Sequence, residues 1–144
     1  AWRSFDHQQL LWVRNLEVAR NQNPEKSSEE IERIALEFTA PREKSLHSTG
    51  GAVDALKYDS ENDCVMDYGT NNGFKLDLNT WCYPLHPGIS PEAKKNRKIL
   101  IGLFEDEDFV CDMTEYWHFD YGNVMWALEK GRDHSIYGIV TDSR

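Results

Sequence analysis

Apolar positions recur with helical spacing in three parts of the chain, and each part begins at a serine that can cap a helix. The pattern predicts helices over residues 4–21 and 28–39 and over the sequence SPEAKKNRKILIGLFED, which begins at Ser90. Ser4 and Ser90 stand at the starts of the first and third helices, and Pro91 takes the first helical position of the third. The sequence SSEE opens the second helix.

Shorter apolar runs between these helices predict strands. GGAVDALKYD is typical of a strand followed by the turn DSEND, and FVCDM, YWHFDYG, NVMWALEKG and SIYGIVTD predict a meander of further strands. The stretch YGTNNGFKLDLNTWCYPLHPGIS is rich in turn residues, and a loop of this length in a small domain is often functional. The sequence therefore predicts one α+β domain over residues 1–144, with a small antiparallel sheet and flanking helices.

Composition and charge limit the classes of partner. The chain has 144 residues, 40% of them hydrophobic, with 16 basic and 25 acidic side chains and a net charge of −9. Proteins that bind nucleic acid through its phosphates need a clustered basic face, so we expect no nucleic-acid partner. No apolar run reaches the ~18–20 residues that cross a bilayer, so we expect no membrane span.

The compartment is predicted from the start of the chain and from its cysteines. The opening AWRSFDHQQ contains no apolar signal region, and Cys64, Cys82 and Cys111 are an odd number without C-x-x-C spacing. Free thiols favour a reducing compartment, so the cytoplasm is the expected location. A missing N-terminal part that carried a signal would instead direct the protein to the periplasm. The sequence does not predict the oligomeric state.

Two stretches carry residues that could bind a metal. SLHSTGGAVD places His47 and Asp54 seven residues apart around two glycines, and EYWHFDYGN places Glu115 three residues before His118. Two imidazoles and one carboxylate would leave one position of a tetrahedral zinc open, as in catalytic zinc sites, and an unligated Glu115 could act as a base. The spacing also allows a plainer interpretation, in which His47 and Asp54 are loop polar groups and His118 is a surface strand residue.

The same two stretches resemble the motifs of a known peptidase family. SLHSTGGAVD is similar to the S-x-H-x-x-G-x-A-x-D signature of the D-alanyl-D-alanine metallopeptidases, and EYWH is similar to their E-x-x-H element. That element is usually E-W-W-H in the dipeptidase branch, which includes the dipeptidases of vancomycin resistance. The two motifs occur in the right order, about 60 residues apart.

Further similarities extend the resemblance over essentially the whole chain. AWRSFDHQ is similar to the G-Y-R-P segment that carries the branch's catalytic arginine, YGT at Tyr68–Thr70 resembles its M-G-T loop, and KKNRKIL resembles its N-R-x-x-L helix. The resemblance implies the α+β zinc-bearing fold that this family shares with lysostaphin-type peptidases and the Hedgehog signalling domain.

Site roles follow from the resemblance position by position. It implies one zinc ion per chain, and the implied ligands are His47, Asp54 and His118. It also implies that Glu115 is the general base, that Arg3 stabilises the oxyanion and that Ser45 lies near the substrate. The implied reaction is hydrolysis of the peptide bond of D-Ala-D-Ala, or of a related D-amino-acid dipeptide, by zinc-bound water that the glutamate activates. The implied partner is accordingly a small peptide that ends in D-amino acids.

Departures from the family pattern leave alternatives open. Asn72 and Gly73 stand where the dipeptidases have a Phe-Asp pair that anchors the free amino end of the substrate, and Asp77 is a candidate substitute. Tyr116 replaces a tryptophan, and the chain begins almost at its arginine, so we expect a missing N-terminal part. The alternatives are a carboxypeptidase or endopeptidase acting on longer peptidoglycan peptides, and a non-catalytic zinc-binding domain.

Overall fold

A computed structural model of the chain describes residues 2–37, 39–70 and 82–141, which form helices and two small sheets. Two short 3₁₀ helices, Arg42–Lys44 and Leu46–Thr49, precede the first strand. The α-helices and strands, in chain order, are α1 Phe5–Gln22, α2 Ser28–Leu36, β1 Ala52–Asp54, β2 Tyr58–Asp59, β3 Cys64–Val65, α3 Pro91–Glu105, β4 Val110–Cys111, β5 His118–Asp120 and α4 Val124–Glu129.

The three long helices begin where their caps predict. The side chain of Ser4 accepts a hydrogen bond from the backbone N–H of His7, and that of Ser90 accepts one from Ala93. Ser27 and Glu30 form a reciprocal capping box at the start of α2. Each cap satisfies a backbone donor that has no partner within the helix, which fixes the helix start.

The strands pair entirely antiparallel. One sheet has the order β1-β5-β4, and β2 and β3 form a separate two-stranded sheet. In the β1–β5 pair, Asp54 lies opposite His118 and Ala52 lies opposite Asp120. This register brings together Asp54 and His118, which are 64 positions apart in the sequence.

Side chains of β5 point alternately to two different environments, as the pleat of a strand requires. Phe119 faces a core cluster and stacks on Phe104 with ring centroids 4.0 Å apart. Its neighbours His118 and Asp120 share the other face of the strand. The remaining fully buried members of this core are Tyr68, Cys82, Leu100, Tyr116 and Trp117. A second cluster of Trp12, Ala19, Ile31 and Ala35 holds α1 against α2.

The α+β class is confirmed, but the predicted meander of strands is wrong in part. NVMWALEKG forms α4, because Asn123 caps the N–H groups of Met125 and Trp126 and the segment is made mostly of good helix formers. SIYGIVTD contains no strand within its described residues 135–141. The predicted strand GGAVDALKYD is divided into β1 and β2, since residues 55–57 between them are irregular.

None of the helices that the structure describes is long and apolar enough to cross a membrane. The longest, α1, has 18 residues and includes Asp6, Arg14, Glu17 and Arg20. The single-domain prediction over residues 1–144 stays a prediction.

Candidate metal centre

The centre of the candidate site is the pair formed by Asp54 and His118. Asp54 ends β1 and His118 begins β5, and the antiparallel register places them opposite each other. Nδ1 of His118 lies 3.0 Å from Oδ1 of Asp54. His118 is 8% exposed, so it is not the surface residue of the plainer interpretation.

His47 completes the group from the 3₁₀ helix Leu46–Thr49. Its Nε2 lies 3.3 Å from Oδ2 of Asp54, and its ring meets that of His118 edge to face with centroids 4.8 Å apart. Gly50 caps the end of this helix, and its φ of 79° is a backbone conformation that favours glycine. A Cβ on Gly51 would lie 2.3 Å from the carbonyl oxygen of Tyr121, so the second glycine lets β1 approach the end of β5.

The donor set fits a zinc ion. One ligand atom from each of His47, Asp54 and His118 can be chosen so that all three lie within 4.8 Å of one another. Asp54 lies between the two imidazoles, with Oδ1 3.0 Å from Nδ1 of His118 and Oδ2 3.3 Å from Nε2 of His47. Two nitrogen donors and one oxygen donor are also the ligand types that zinc prefers.

Contacts among the candidate ligands shift the pKa values of His118 and Asp54. Burial disfavours a charged His118, but hydrogen bonds with Asp120 and Asp54 outweigh burial and raise its pKa to about 10. Burial likewise opposes ionisation of Asp54, yet its hydrogen bonds with His118 and His47 hold its pKa well below the usual range. A metal ion would take over the role that the protons play here, since it binds the neutral imidazole and the carboxylate.

Asp120 is a site residue that the sequence analysis missed. Its Oδ1 lies 3.3 Å from Nε2 of His118, on the side of the ring away from Asp54, and also accepts a hydrogen bond from the side chain of Asn123. The signal was the spacing in HFD, because residues two apart in a strand point to the same face.

Arg3 lies beside the candidate ligands, just before α1. Its NH2 is 3.4 Å from Oδ2 of Asp54 and its NH1 donates to Oε1 of Gln8 at 2.8 Å. Its backbone N–H donates to the carbonyl of His47 at 3.0 Å. Gln8, also missed from the sequence, is fixed in turn by donating to the carbonyl of Ala40 at 2.6 Å. Arg3 is therefore held at the site both by its backbone N–H and by the contacts of its guanidinium.

Glu115 is held in a turn next to the ligands without belonging to the ligand group. Oδ1 of Asp112 accepts the backbone N–H of Glu115 at 3.0 Å and that of Thr114 at 2.6 Å. Burial raises the pKa of the Glu115 carboxyl to about 7, although the nearby His118 opposes the rise. A carboxyl whose pKa lies near neutrality is suited to transfer protons at physiological pH.

One cleft of about 790 Å³ joins the site residues that the sequence suggested. It continues along α1 past Leu11, Asn15 and Val18. Ser45, which is 3% exposed, contributes to the wall beside the candidate ligands. The predicted site residues that line the cleft are Arg3, Ser45, His47, Asp54, Glu115 and His118.

Arg97 of α3 forms hydrogen bonds with residues on either side of the segment 71–81. Its guanidinium donates to the carbonyls of Tyr68 and Tyr83 and lies 3.9 Å from the ring centre of Tyr116. Tyr116, where the family usually has tryptophan, is fully buried and its hydroxyl lies 2.8 Å from that of Thr70. Asn72 and Gly73, which replace the anchoring Phe-Asp pair, and the candidate substitute Asp77 lie outside the described residues.

Comparison with known proteins gives a consistent result. A family model described as D-ala-D-ala dipeptidase matches residues 2–134. The D-alanyl-D-alanine dipeptidase of Escherichia coli K12 is 33% identical over 76 residues, which cover 53% of this chain and 37% of that protein. The match thus spans little more than a third of this curated relative. Because the family model covers most of the sequence, the chain belongs to the D-Ala-D-Ala dipeptidase family of peptidases.

Proposed function

We propose that the protein is a zinc peptidase that hydrolyses the peptide bond of D-Ala-D-Ala or of a related D-amino-acid dipeptide. One observation carries the proposal. The candidate ligands His47, Asp54 and His118 line the same cleft as Glu115 and Arg3. The chemistry of this donor set supports zinc, one ion per chain. When bound, zinc supplies a Lewis acid that polarises a carbonyl and lowers the pKa of water towards ~7.

Glu115 is the proposed proton carrier of the reaction. It takes the proton from the water that attacks the scissile carbonyl and returns it to the leaving amine. Its burial supports this role, because a carboxyl with a pKa of about 7 can both accept and release a proton near neutral pH. The turn made by Asp112 keeps its backbone fixed during both steps.

Arg3 is the proposed stabiliser of the negative charge that develops on the carbonyl oxygen. Its guanidinium is held by Gln8, so little reorganisation is needed when the charge appears. Ser45, buried in the wall of the same cleft, is proposed to contact the substrate.

The size of the cleft favours a second candidate, a carboxypeptidase or endopeptidase acting on longer peptidoglycan peptides. A volume of about 790 Å³ lies in the upper part of the range for drug-sized ligands, and the cleft extends beyond the ligand group along α1. The replacement of the Phe-Asp pair by Asn72 and Gly73 points the same way, because a missing anchor would weaken discrimination against peptides with a blocked amino end.

A non-catalytic zinc-binding domain is the candidate from another class. A structural metal site needs neither a buried, unligated carboxyl nor an arginine at the cleft. The presence of both Glu115 and Arg3 beside the ligand group therefore favours the enzyme.

The deciding experiment measures, by mass spectrometry, the cleavage products released by the purified protein. D-Ala-D-Ala and a pentapeptide ending in D-Ala-D-Ala are compared, each with and without a chelator, and E115Q serves as the catalytic control. Chelator-sensitive hydrolysis of the dipeptide alone supports the first proposal, and hydrolysis of the pentapeptide, with or without the dipeptide, supports the second. Binding of zinc without hydrolysis of either substrate would contradict both and favour the non-catalytic domain.

A further inference from the structure

We propose that Asp120 is a positioning residue that holds the imidazole of His118 for the metal, and that Asn123 in turn holds Asp120. The inference rests on the proposed metal site and extends it to two residues that the family motifs quoted above do not include. Both residues are buried, with exposed fractions of 1% for Asp120 and zero for Asn123.

The geometry places the two ring nitrogens of His118 between two carboxylates. Nδ1 lies 3.0 Å from Asp54, within the ligand group, and Nε2 lies 3.3 Å from Oδ1 of Asp120. A proton on Nε2 leaves the lone pair of Nδ1 facing the ligand group. Asp120 therefore favours the tautomer that a metal needs, and it also fixes the angle of the ring.

Asn123 connects this carboxylate to the helix that follows. Its amide nitrogen donates to Oδ1 of Asp120, and its amide oxygen accepts the backbone N–H groups of Met125 and Trp126 at the start of α4. Because the cap fixes the amide, the donor towards Asp120 has a defined direction. The start of α4 thereby controls the position of the carboxylate.

The other candidate imidazole lacks such a support among the described residues. Nδ1 of His47 is buried and has no hydrogen-bond partner there. His47 is instead placed through its backbone, whose carbonyl accepts the N–H groups of Arg3 and Gly50. The orientation of the imidazoles at the site therefore depends on Asp120 more than on any partner of His47.

A purely structural role for Asp120 is the competing explanation. A buried carboxylate needs hydrogen-bond donors wherever it lies, and Asn123 and His118 supply them. A structural role predicts that changes at Asp120 alter folding stability and leave the intrinsic zinc affinity of the folded protein unaltered. A positioning role predicts a loss of zinc affinity beyond any change in stability.

The test measures zinc affinity by competition with a chromogenic chelator, in protein whose folding is checked by circular dichroism. D120N keeps the size of the side chain and removes its charge, D120A removes the acceptor, and N123S keeps a helix-capping oxygen but removes the amide donor. Loss of a carboxylate that supports a histidine ligand typically weakens metal binding about 10–100-fold. We expect D120A near the upper end, D120N near the lower end, and N123S weaker than wild type by less than D120A.

D67N is the matched control, because Asp67 also accepts two hydrogen bonds, from Gly69 and Ser90, but lies outside the ligand group. Its zinc affinity should equal that of wild type. Wild-type affinity in both folded D120N and folded N123S would overturn the inference while leaving the metal site intact. If D120A fails to fold, the zinc affinities of D120N and N123S still test the inference. Failure of the wild-type protein itself to bind zinc would instead refute the proposed metal site.

A second readout observes the ring directly. In zinc-loaded protein labelled with ¹⁵N at histidine, we expect a protonated Nε2 on His118 that exchanges slowly with water, and faster exchange in D120A. A His118 that carries its proton on Nδ1 in the zinc-loaded wild type would also overturn the inference.

Discussion

Asp54 and His118 face each other across the β1–β5 pair, with Nδ1 of the imidazole 3.0 Å from a carboxylate oxygen. Neither strand is longer than three residues, so the local sequence of each says little about the pairing. The antiparallel register nevertheless places a carboxylate and an imidazole together in the wall of the cleft. The predictions below follow from that arrangement and from the residues that surround it.

Zinc binding should release a proton from His118. In the metal-free protein the pKa of His118 is raised to about 10, so between pH 7.5 and 9.5 the folded imidazole is charged and must lose its proton to bind zinc. Calorimetry in buffers of different ionisation enthalpy should report about one proton released per zinc. The apparent zinc affinity should rise with pH over this window, and a binding enthalpy that is the same in all buffers would contradict the assignment.

The stability of the metal-free protein should also depend on pH. The folded state keeps a proton on His118 after the unfolded imidazole, with its usual pKa near 6.5, has lost it. The free energy of unfolding should therefore fall as pH rises from about 6.5 towards 10. Urea unfolding at several pH values checks this in wild type and H118Q. In H118Q the free energy of unfolding should decrease less over this pH range than in wild type. An equal decrease in the two proteins would show that a group other than His118 causes it.

Replacement of Glu115 by glutamine should separate metal binding from catalysis. E115Q is nearly isosteric and removes the group that accepts the proton, so zinc content and folding should stay at wild-type levels. General-base catalysis contributes about 10²–10⁴-fold, and kcat should fall by at least that range with little change in KM. E107Q, at an exposed site after α3, should retain full activity. Hydrolysis by E115Q at a rate close to wild type would require another base in the cleft.

Replacement of Arg3 should lower kcat without changing the zinc content. R3A keeps the backbone bond to His47 but loses the charge at the cleft, and removal of an oxyanion donor costs about 2.7–4 kcal/mol of transition-state stabilisation. We expect unchanged zinc content and a matching drop in kcat, with partial recovery in R3K. Loss of zinc in R3A, measured by metal analysis, would show instead that Arg3 acts mainly by fixing Asp54.

Arg97 should be a major contributor to stability. R97M would leave the carbonyls of Tyr68 and Tyr83 without their buried donor, which costs on the order of 1–3 kcal/mol for each group. Urea unfolding should show this loss, whereas K98M, an exposed change at the next position of α3, should be nearly neutral. Equal stability of R97M and wild type would mean that water replaces the guanidinium.

The sequence predicted best what depends on local chemistry. Ser4, Ser27 and Ser90 cap the three long helices, because capping involves neighbours within three residues. The class of the fold followed from the same local patterns. The division of the sheet into two- and three-residue strands did not, because such short strands are fixed by tertiary pairing more than by their own composition.

The candidate site, like the sheet, could be predicted only in part from the sequence. Motif resemblance pointed to His47, Asp54 and His118, yet spacing alone could not tell a metal group from loop polar residues. Asp120 was missed although it stands two residues after His118 in the predicted strand, and Asn123 was missed because the run NVMWALEKG was taken for a strand. Recognition of Asn123 as the cap of α4 would have corrected that prediction.

The most direct test of the proposed metal centre is the zinc content of purified wild type, H118A and H134A after dialysis against a weak chelator. His134 is exposed and lies outside the ligand group, so H134A is the matched control. We expect about one zinc per chain in wild type and H134A, and loss of most of it in H118A, because two remaining ligands rarely hold zinc tightly. Full zinc occupancy in folded H118A, or no zinc in wild type, would contradict a metal centre built on His47, Asp54 and His118.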